Sequence, residues 1–364
     1  MKNRIQRTGA PPGRGTRSIE DVDGLAAAMA DGLDAEYVQL ETKPFAARWT
    51  VIALAEAVLQ FSHADVALAR RIRIPDGTCA FLVPLVVPET ARWNARPVSG
   101  NELIVCAPGS ESYACDPGGT EFAIVSVPAR STPADLGHAF LNGGTGTGTL
   151  LPRARDAQTL QRRLRIALGS TALDAAGRAA ALNDIRSALE ACLRHAVLSE
   201  RRGKTSAGRS RIVRRAEEFF RTHVGEPVSM AQLSSNAMVS ERCLREAFYD
   251  TYATSPMRYL RLWQLHQVRR ALRSADDRHA TVTHIATLHG FYELGRFAGE
   301  YKALFGEVPS QTLSRARQES AANVTTMQPM VTRAFGDAYH ASGAGWHPSV
   351  VRTSPGRLDH RHGD

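Results

Sequence analysis

This chain lacks the apolar segments that mark membrane and secreted proteins. Its longest apolar stretch, Phe81 to Pro88, is far shorter than the ~20 residues that a helix needs to cross a bilayer. The basic start of the chain is not followed by the apolar core of a signal peptide. These absences predict a cytoplasmic protein with no membrane partner.

Cysteine and histidine are too scattered to predict a disulfide framework or a metal site. The five cysteines never form a Cys-x-x-Cys pair. They are Cys79, Cys106, Cys115, Cys192 and Cys243. Between Tyr37 and Arg130 the only histidine is His63, whereas a metal centre needs several clustered ligands. We therefore expect no metal, no cofactor and no catalytic residues.

Acidic residues are outnumbered by basic ones. The chain has 45 Lys and Arg against 36 Asp and Glu, a net charge of +9, and 43% hydrophobic residues. This hydrophobic content is typical of a folded globular protein. The positive charge favours a polyanionic partner, because Lys and Arg that neutralise phosphates release condensed counterions. Charge alone leaves DNA, RNA and an anionic membrane open.

Changes in composition and periodicity along the sequence predict two domains with flexible ends. A basic, Pro- and Gly-rich start predicts a flexible leader over 1–30, and an aperiodic end predicts a disordered tail over 318–364. Short alternating runs between turn sequences, followed by helical periodicity, predict a β domain with C-terminal helices over 31–200. A polar basic linker over 201–210 then leads to a helical domain over 211–317.

The helical domain contains the same layout twice. Ser229 and Ser240 are N-cap residues on either side of a short helix, and Thr281 begins a second such helix that must stop at Gly290. Each unit is predicted to be helix, tight turn, helix. A helix from Pro256 to about residue 273 joins them, and its length of ~27 Å would hold two recognition helices about one DNA turn apart.

The segment from Ile212 to Arg317 resembles the C-terminal DNA-binding domain of the AraC/XylS family of bacterial transcription regulators. Its most specific part runs from Ile285-Ala286 through Gly290-Phe291 to the closing Phe-Gly-x-x-Pro-Ser at 305–310. The resemblance implies an α+β multidomain protein, with an N-terminal cupin-like β domain that binds an effector and dimerises, and an all-α C-terminal domain.

Five residues depart from the family pattern. Ser234 stands where the family usually has alanine, and Gln264 replaces a frequent arginine. Met238 stands where a turn glycine is common, Ala253 replaces a usual glycine, and Gly295 replaces a usual serine.

Exposed residues in the first turns of the recognition helices are the candidates for base contacts, because those turns enter the major groove. They are Ser240, Glu241, Arg242, Arg245, Tyr292, Glu293, Gly295 and Arg296. Arg242 and Arg296 could each bind guanine through two hydrogen bonds. The alternative for each residue is a phosphate contact or a solvated helix face. The domain carries 16 Lys and Arg against 11 Asp and Glu over 210–318, which predicts moderate, salt-sensitive affinity.

These patterns predict a sequence-specific regulator that binds double-stranded promoter DNA. The leading hypothesis is a dimeric activator that responds to a small-molecule effector and contacts RNA polymerase; the effector and its binding residues are unknown. One alternative is a ligand-independent dimeric regulator or a repressor. Other classes are an enzyme with an accessory helical domain, whose catalytic cluster the sequence does not show, and a non-specific architectural DNA protein, which predicts a larger positive charge.

Overall fold

The structure is a computed structural model that describes residues 14–30, 33–54, 56–131, 146–170, 174–198, 204–275 and 280–318. In these ranges an N-terminal domain of two β-sheets with helices precedes a C-terminal domain that is helical. The predicted α+β architecture is confirmed, while the narrower cupin-like description of the sheets stays an interpretation. The predicted tail lies outside the described residues from residue 319 onwards.

The N-terminal domain is built from antiparallel strands. An eight-stranded sheet has the order β1-β3-β4-β11-β6-β9-β12-β13, and a five-stranded sheet has the order β2-β5-β10-β7-β8. The strands are β1 (Arg14–Ile19), β2 (Asp34–Gln39), β3 (Ala47–Leu54), β4 (Ala57–Ala64), β5 (Leu68–Arg73), β6 (Thr78–Val86), β7 (Arg92–Trp93), β8 (Arg96–Pro97), β9 (Leu103–Cys106), β10 (Glu111–Asp116), β11 (Thr120–Pro128), β12 (Thr147–Leu151) and β13 (Val197–Leu198). The helices of this domain are α1 (Val22–Met29), α2 (Ala154–Gly169) and α3 (Ala175–Arg194).

Both faces of the eight-stranded sheet are buried. Because successive side chains of a strand point to opposite faces, Leu82 packs between the two sheets while its neighbour Phe81 packs on the other side. There Phe81 shares a cluster with Leu160 of α2 and Leu189 of α3. The helices after the strands therefore cover the outer face of the sheet.

Parts of two segments that the sequence predicted to be flexible, residues 14–30 and 204–210, are structured. In the leader predicted over 1–30, β1 pairs with β3 from Arg14↔Ile52 to Ile19↔Ala47. The helix α1 that follows buries apolar side chains, including Leu25. The linker predicted over 201–210 is helical from Lys204 onwards. Composition alone missed both segments because the partners that order them are distant in sequence.

The C-terminal domain contains two helix-turn-helix units joined by one long helix. Its helices are α4 (Lys204–Thr222), α5 (Met230–Ala237), α6 (Glu241–Tyr252), α7 (Pro256–Arg273), α8 (Val282–Leu288) and α9 (Leu294–Phe305). Residues 309–318 are also helical. The predicted N-caps are confirmed, since the side chains of Ser229, Ser240 and Thr281 each accept a backbone N–H of the helix that follows. Helix α7 connects the first unit (α5 and α6) to the second unit (α8 and α9).

Both helices of the first unit end at a residue that adopts the left-handed backbone conformation and is not glycine. Met238 (φ 55°) ends α5 and Ala253 (φ 53°) ends α6. These are the positions at which the sequence departs from the glycine of the family. The turns still form, although an L-residue in this conformation costs about 1–2 kcal/mol.

We expect Ala253→Gly to stabilise the helical domain by about 0.5–1 kcal/mol, because the strain that it relieves exceeds the entropy that glycine loses. Ala253 is exposed, so no packing is lost. The control is Ala303→Gly at an exposed site within α9, which should destabilise by about 1 kcal/mol. Urea unfolding of both variants measures the two signs. A loss of stability in Ala253→Gly would contradict the strain argument.

The two domains meet at an interdomain interface where β2 lies against α4 and α7. The Glu36 carboxylate on β2 accepts hydrogen bonds from Arg221 at 2.5 Å, Trp263 Nε1 at 3.0 Å and Arg270 at 3.3 Å. Burial alone would raise the pKa of Glu36, but Arg221 and Arg270 outweigh it and hold that pKa below its usual value. Val38 of the same strand shares an apolar cluster with the helical domain. Charge pairing and apolar packing therefore join the domains.

A buried histidine lies at the centre of this interface. The backbone N–H of Gln39 donates to His266 Nε2 at 3.0 Å, and the Gln39 side chain lies 3.4 Å from the carbonyl oxygen of Leu304. Burial lowers the pKa of His266 well below its usual value, and the nearby Arg270 and Arg269 lower it further. The imidazole is therefore neutral in the folded protein and accepts the Gln39 N–H.

This histidine makes stability depend on pH. The unfolded chain binds a proton at His266 below pH 6.5 while the folded chain does not, so stability falls as pH drops below that value. We expect the free energy of unfolding to lose up to about 1.4 kcal/mol per pH unit from this residue between about pH 6.5 and pH 5. Comparison with His266→Gln isolates the contribution, because the other titrating groups are common to both proteins. Parallel pH profiles for the two proteins would contradict this assignment.

Candidate nucleic-acid interface

The first recognition helix, α6, presents arginine side chains to solvent. Ser240 caps the helix, and its side-chain oxygen accepts the N–H of Cys243 at 3.2 Å. The Arg242 side chain is 88% exposed and pairs with Glu246 at 2.9 Å. Arg245 pairs with Glu241 at 2.7 Å. The opposite face of the helix buries Leu244 and Phe248, so the arginines are held on the outside by packing on the inside.

The second recognition helix, α9, has a similar arrangement. Its first turn follows Tyr292 and Glu293, which are both exposed, and includes the exposed Gly295. The Arg296 side chain is 69% exposed and pairs with Glu300 at 2.9 Å. The Tyr292 hydroxyl donates to the carbonyl oxygen of Gly225 at 2.9 Å, so this residue has a structural partner besides any contact with DNA.

Each candidate arginine is therefore paired with a glutamate on its own helix. Glu300 also accepts a hydrogen bond from Arg261 of α7 at 2.6 Å. Partial burial would raise the pKa of Glu300, but Arg261 and Arg296 hold it below its usual value. Exposed pairs of this kind contribute little to stability, so acceptors on DNA can replace the glutamate. Pairing lowers the net charge of the surface and disfavours binding by charge alone.

The eight residues predicted from the sequence lie at the N-terminal ends of α6 and α9. Seven are exposed and Glu241 is partly exposed. Their contact with bases stays a prediction, because the structure contains no DNA. Sequence analysis missed Tyr249, which is 61% exposed. It lies four residues after Arg245 and seven after Arg242, so it shares their face of α6. This helical spacing could have identified Tyr249 from the sequence.

The described ranges show neither a metal-binding group nor a membrane-spanning helix. There, no His, Cys, Asp and Glu side chains form a group of three or more that could hold a metal ion. Each helix in those ranges is too short or too polar to cross a lipid bilayer. The exposed arginines of α6 and α9 form the candidate site.

Known proteins resemble this C-terminal domain. A family model described as a helix-turn-helix domain matches residues 233–315. The probable thc operon regulatory protein of Rhodococcus erythropolis is 41% identical over 102 residues, which are 28% of this chain and 31% of that protein. The XylDLEGF operon transcriptional activator 2 of Pseudomonas putida is 38% identical over 100 residues, 28% of this chain and 64% of the activator. The chain thus matches about a third of the first relative and less than two thirds of the second.

A solved structure of a probable AraC family transcriptional regulator from Rhodopseudomonas palustris shares 34% identity. It covers 29% of this chain and 97% of its own, with a TM-score of 0.27. The residues matched by the family model include residues of both helix-turn-helix units. The C-terminal domain of this chain is therefore a helix-turn-helix domain of the AraC/XylS family of transcription regulators, a family that does not consist of enzymes.

Proposed function

We propose that this protein is a sequence-specific regulator that binds promoter DNA through α6 and α9. The observation that carries the proposal is the exposure of Arg242, the second residue of α6, and of Arg296, the third residue of α9. Arginine in the major groove binds guanine O6 and N7 through two hydrogen bonds. Phosphate contacts from other basic residues would position the protein.

Activation of transcription is the outcome that we propose, with repression as the alternative. Relatives that match the C-terminal domain are described as operon transcriptional activators. We propose that the protein contacts RNA polymerase while it is bound to DNA. In the N-terminal domain, α2 and the strand β13 expose apolar side chains, Ile166 and Val197 among them. We propose that this domain forms a homodimer.

We propose that a small-molecule effector binds inside the N-terminal domain. A cavity of about 20 Å³ lies beside Tyr37, Arg70, Asp116 and Phe122. The Arg70 side chain is 1% exposed and lies 3.1 Å from Asp116. Its guanidinium carbon lies 5.5 Å from the ring centroid of Trp93 and 5.3 Å from that of Phe122. A buried guanidinium with one carboxylate partner offers a polar anchor to a ligand. The cavity has room for about one water molecule, so a larger effector requires the strands to move apart.

Selection of bound duplexes from a random DNA pool tests the central proposal. At ~150 mM salt, contacts with phosphates alone are weakened. We expect a motif of two short boxes about one helical turn apart. A folded protein that enriches no sequence, with or without cellular small molecules, would contradict sequence-specific binding. A ligand-independent regulator would instead enrich the motif and show no thermal shift with any compound of an effector screen.

A further inference from the structure

The loop between α4 and α5, which precedes the first helix-turn-helix unit, contacts the second unit directly, in addition to the connection through α7. Gly225 lies in the loop between α4 and α5, and its carbonyl oxygen accepts the hydroxyl of Tyr292 at 2.9 Å. On the second unit, a Cβ added to Gly290 would lie 3.7 Å from the Cα and carbonyl carbon of Gly225. The loop before the first unit therefore rests on the turn of the second unit.

This contact leaves no room for a side chain. A Cβ added to Gly225 would lie 2.4 Å from the carbonyl oxygen of Leu288, a distance at which the backbone has to move. Gly225 also has a φ of 88°, which L-residues rarely adopt. Leu288 is the last residue of α8, so any bulk at Gly225 pushes the first helix of the second unit away from the first unit.

Helix α7 holds the second unit through a shared apolar cluster and through His266 and Arg269, which lie against the ring of Phe305. On α7, Arg261 donates to Glu300 of α9 at 2.6 Å and lies over the ring of Phe291, 4.1 Å from its centroid. The contact between Gly225 and the segment 288–292 joins the second unit to the loop before α5, so it adds a restraint on the second unit that does not pass through α7.

We propose that this contact fixes the distance and phase between the two recognition helices, and thereby the spacing of the two DNA boxes that the protein accepts. The inference rests on the proposed binding of DNA by α6 and α9. Each base pair inserted between the boxes rotates the second box by about 34° and moves it by about 3.4 Å. A rigid pair of units tolerates little of this change. Tyr292 is then a positioning residue, whose hydroxyl holds the start of α9 against the first unit.

The test measures binding of the full chain to duplexes that carry both selected boxes with the spacer shortened or lengthened by one base pair. A duplex with one box serves as the reference. We expect the unmodified protein to bind the selected spacing about 10-fold more tightly than its neighbours, which corresponds to about 1.4 kcal/mol. Gly225→Ala should move the optimum or reduce this ratio to about 3-fold or less, with one-box affinity unchanged.

Two further variants make the result decisive. Gly299→Ala adds the same methyl group at an exposed position of α9 where nothing lies within 4 Å, and it should keep the optimum. Tyr292→Phe removes only the hydroxyl and should flatten the spacing preference. If Gly225→Ala does not fold, Tyr292→Phe decides.

Two results would overturn the spacing role and leave the proposed function intact. One is an unchanged spacing preference in the folded variants. The other is an equal loss of affinity at every spacing and on the one-box duplex. An unmodified protein that prefers no box at any spacing would overturn the proposed function and this inference with it.

Discussion

Replacing both Arg242 and Arg296 with alanine is expected to weaken binding to the selected site by about 2–6 kcal/mol. Each good contact between arginine and guanine contributes about 1–3 kcal/mol of discrimination, and contributions from separate helices add approximately. The pairs with Glu246 and Glu300 that are lost contribute little, since they are exposed. Equilibrium titration of the selected duplex and of a scrambled duplex measures the effect.

The comparison of the two duplexes separates base contacts from phosphate contacts. If the arginines contact bases, the double variant loses most of its preference for the selected duplex and little of its affinity for the scrambled one. Equal losses on both duplexes would mean that the arginines bind phosphates only. The matched control replaces Arg155 and Arg162, two exposed arginines of α2, with alanine. It removes the same charge and should leave the preference intact.

Replacing Glu36 with alanine is expected to cost about 3 kcal/mol at the interdomain interface. The substitution leaves Arg221 and Arg270 without the carboxylate that they share, and it removes the acceptor of the Trp263 indole N–H. Loss of one partner of a buried pair costs about 3–5 kcal/mol, and the lower value applies because the Glu36 side chain is 21% exposed. Hydrogen exchange of β2 and α7 should become faster as the domains separate.

Two variants provide the controls for this experiment. Glu36→Gln keeps the size and an acceptor for Trp263 but removes the charge, so it should lie between the unmodified protein and Glu36→Ala. Glu226→Ala removes an exposed carboxylate of the loop before α5 and should leave exchange unchanged. Protection of β2 and α7 that survives Glu36→Ala would show that the apolar contacts of Val38 and its neighbours are sufficient to join the domains.

The local signals of the helical domain were enough to predict it from the sequence. Ser229, Ser240 and Thr281 cap their helices as predicted, and Pro256 begins α7 at the predicted residue. Cap and turn residues act on the backbone within a few residues of themselves, so their effect can be predicted from a short window. The exposed arginines of the candidate site follow from the same helical periodicity.

Features that depend on distant residues could not be predicted in this way. The strand β1 lies in a segment whose composition indicates a flexible leader, yet it pairs with β3 over six positions. Glu36 and Arg221 are separated by 185 residues, and Gln39 and His266 by 227, so no local pattern indicates either contact. The contact of Gly225 with Tyr292 spans 67 residues. The interface and the contact between the units therefore required the structure.

Dimethyl sulfate protection on the selected duplex tests the central claim most directly, because the reagent methylates guanine N7 in the major groove, an atom that a bound arginine covers. We predict protected guanines in two groups about one helical turn apart, one group lost in Arg242→Ala and the other in Arg296→Ala. Full methylation of every guanine in a bound complex would show that the protein contacts only the DNA backbone, and it would contradict sequence recognition by α6 and α9.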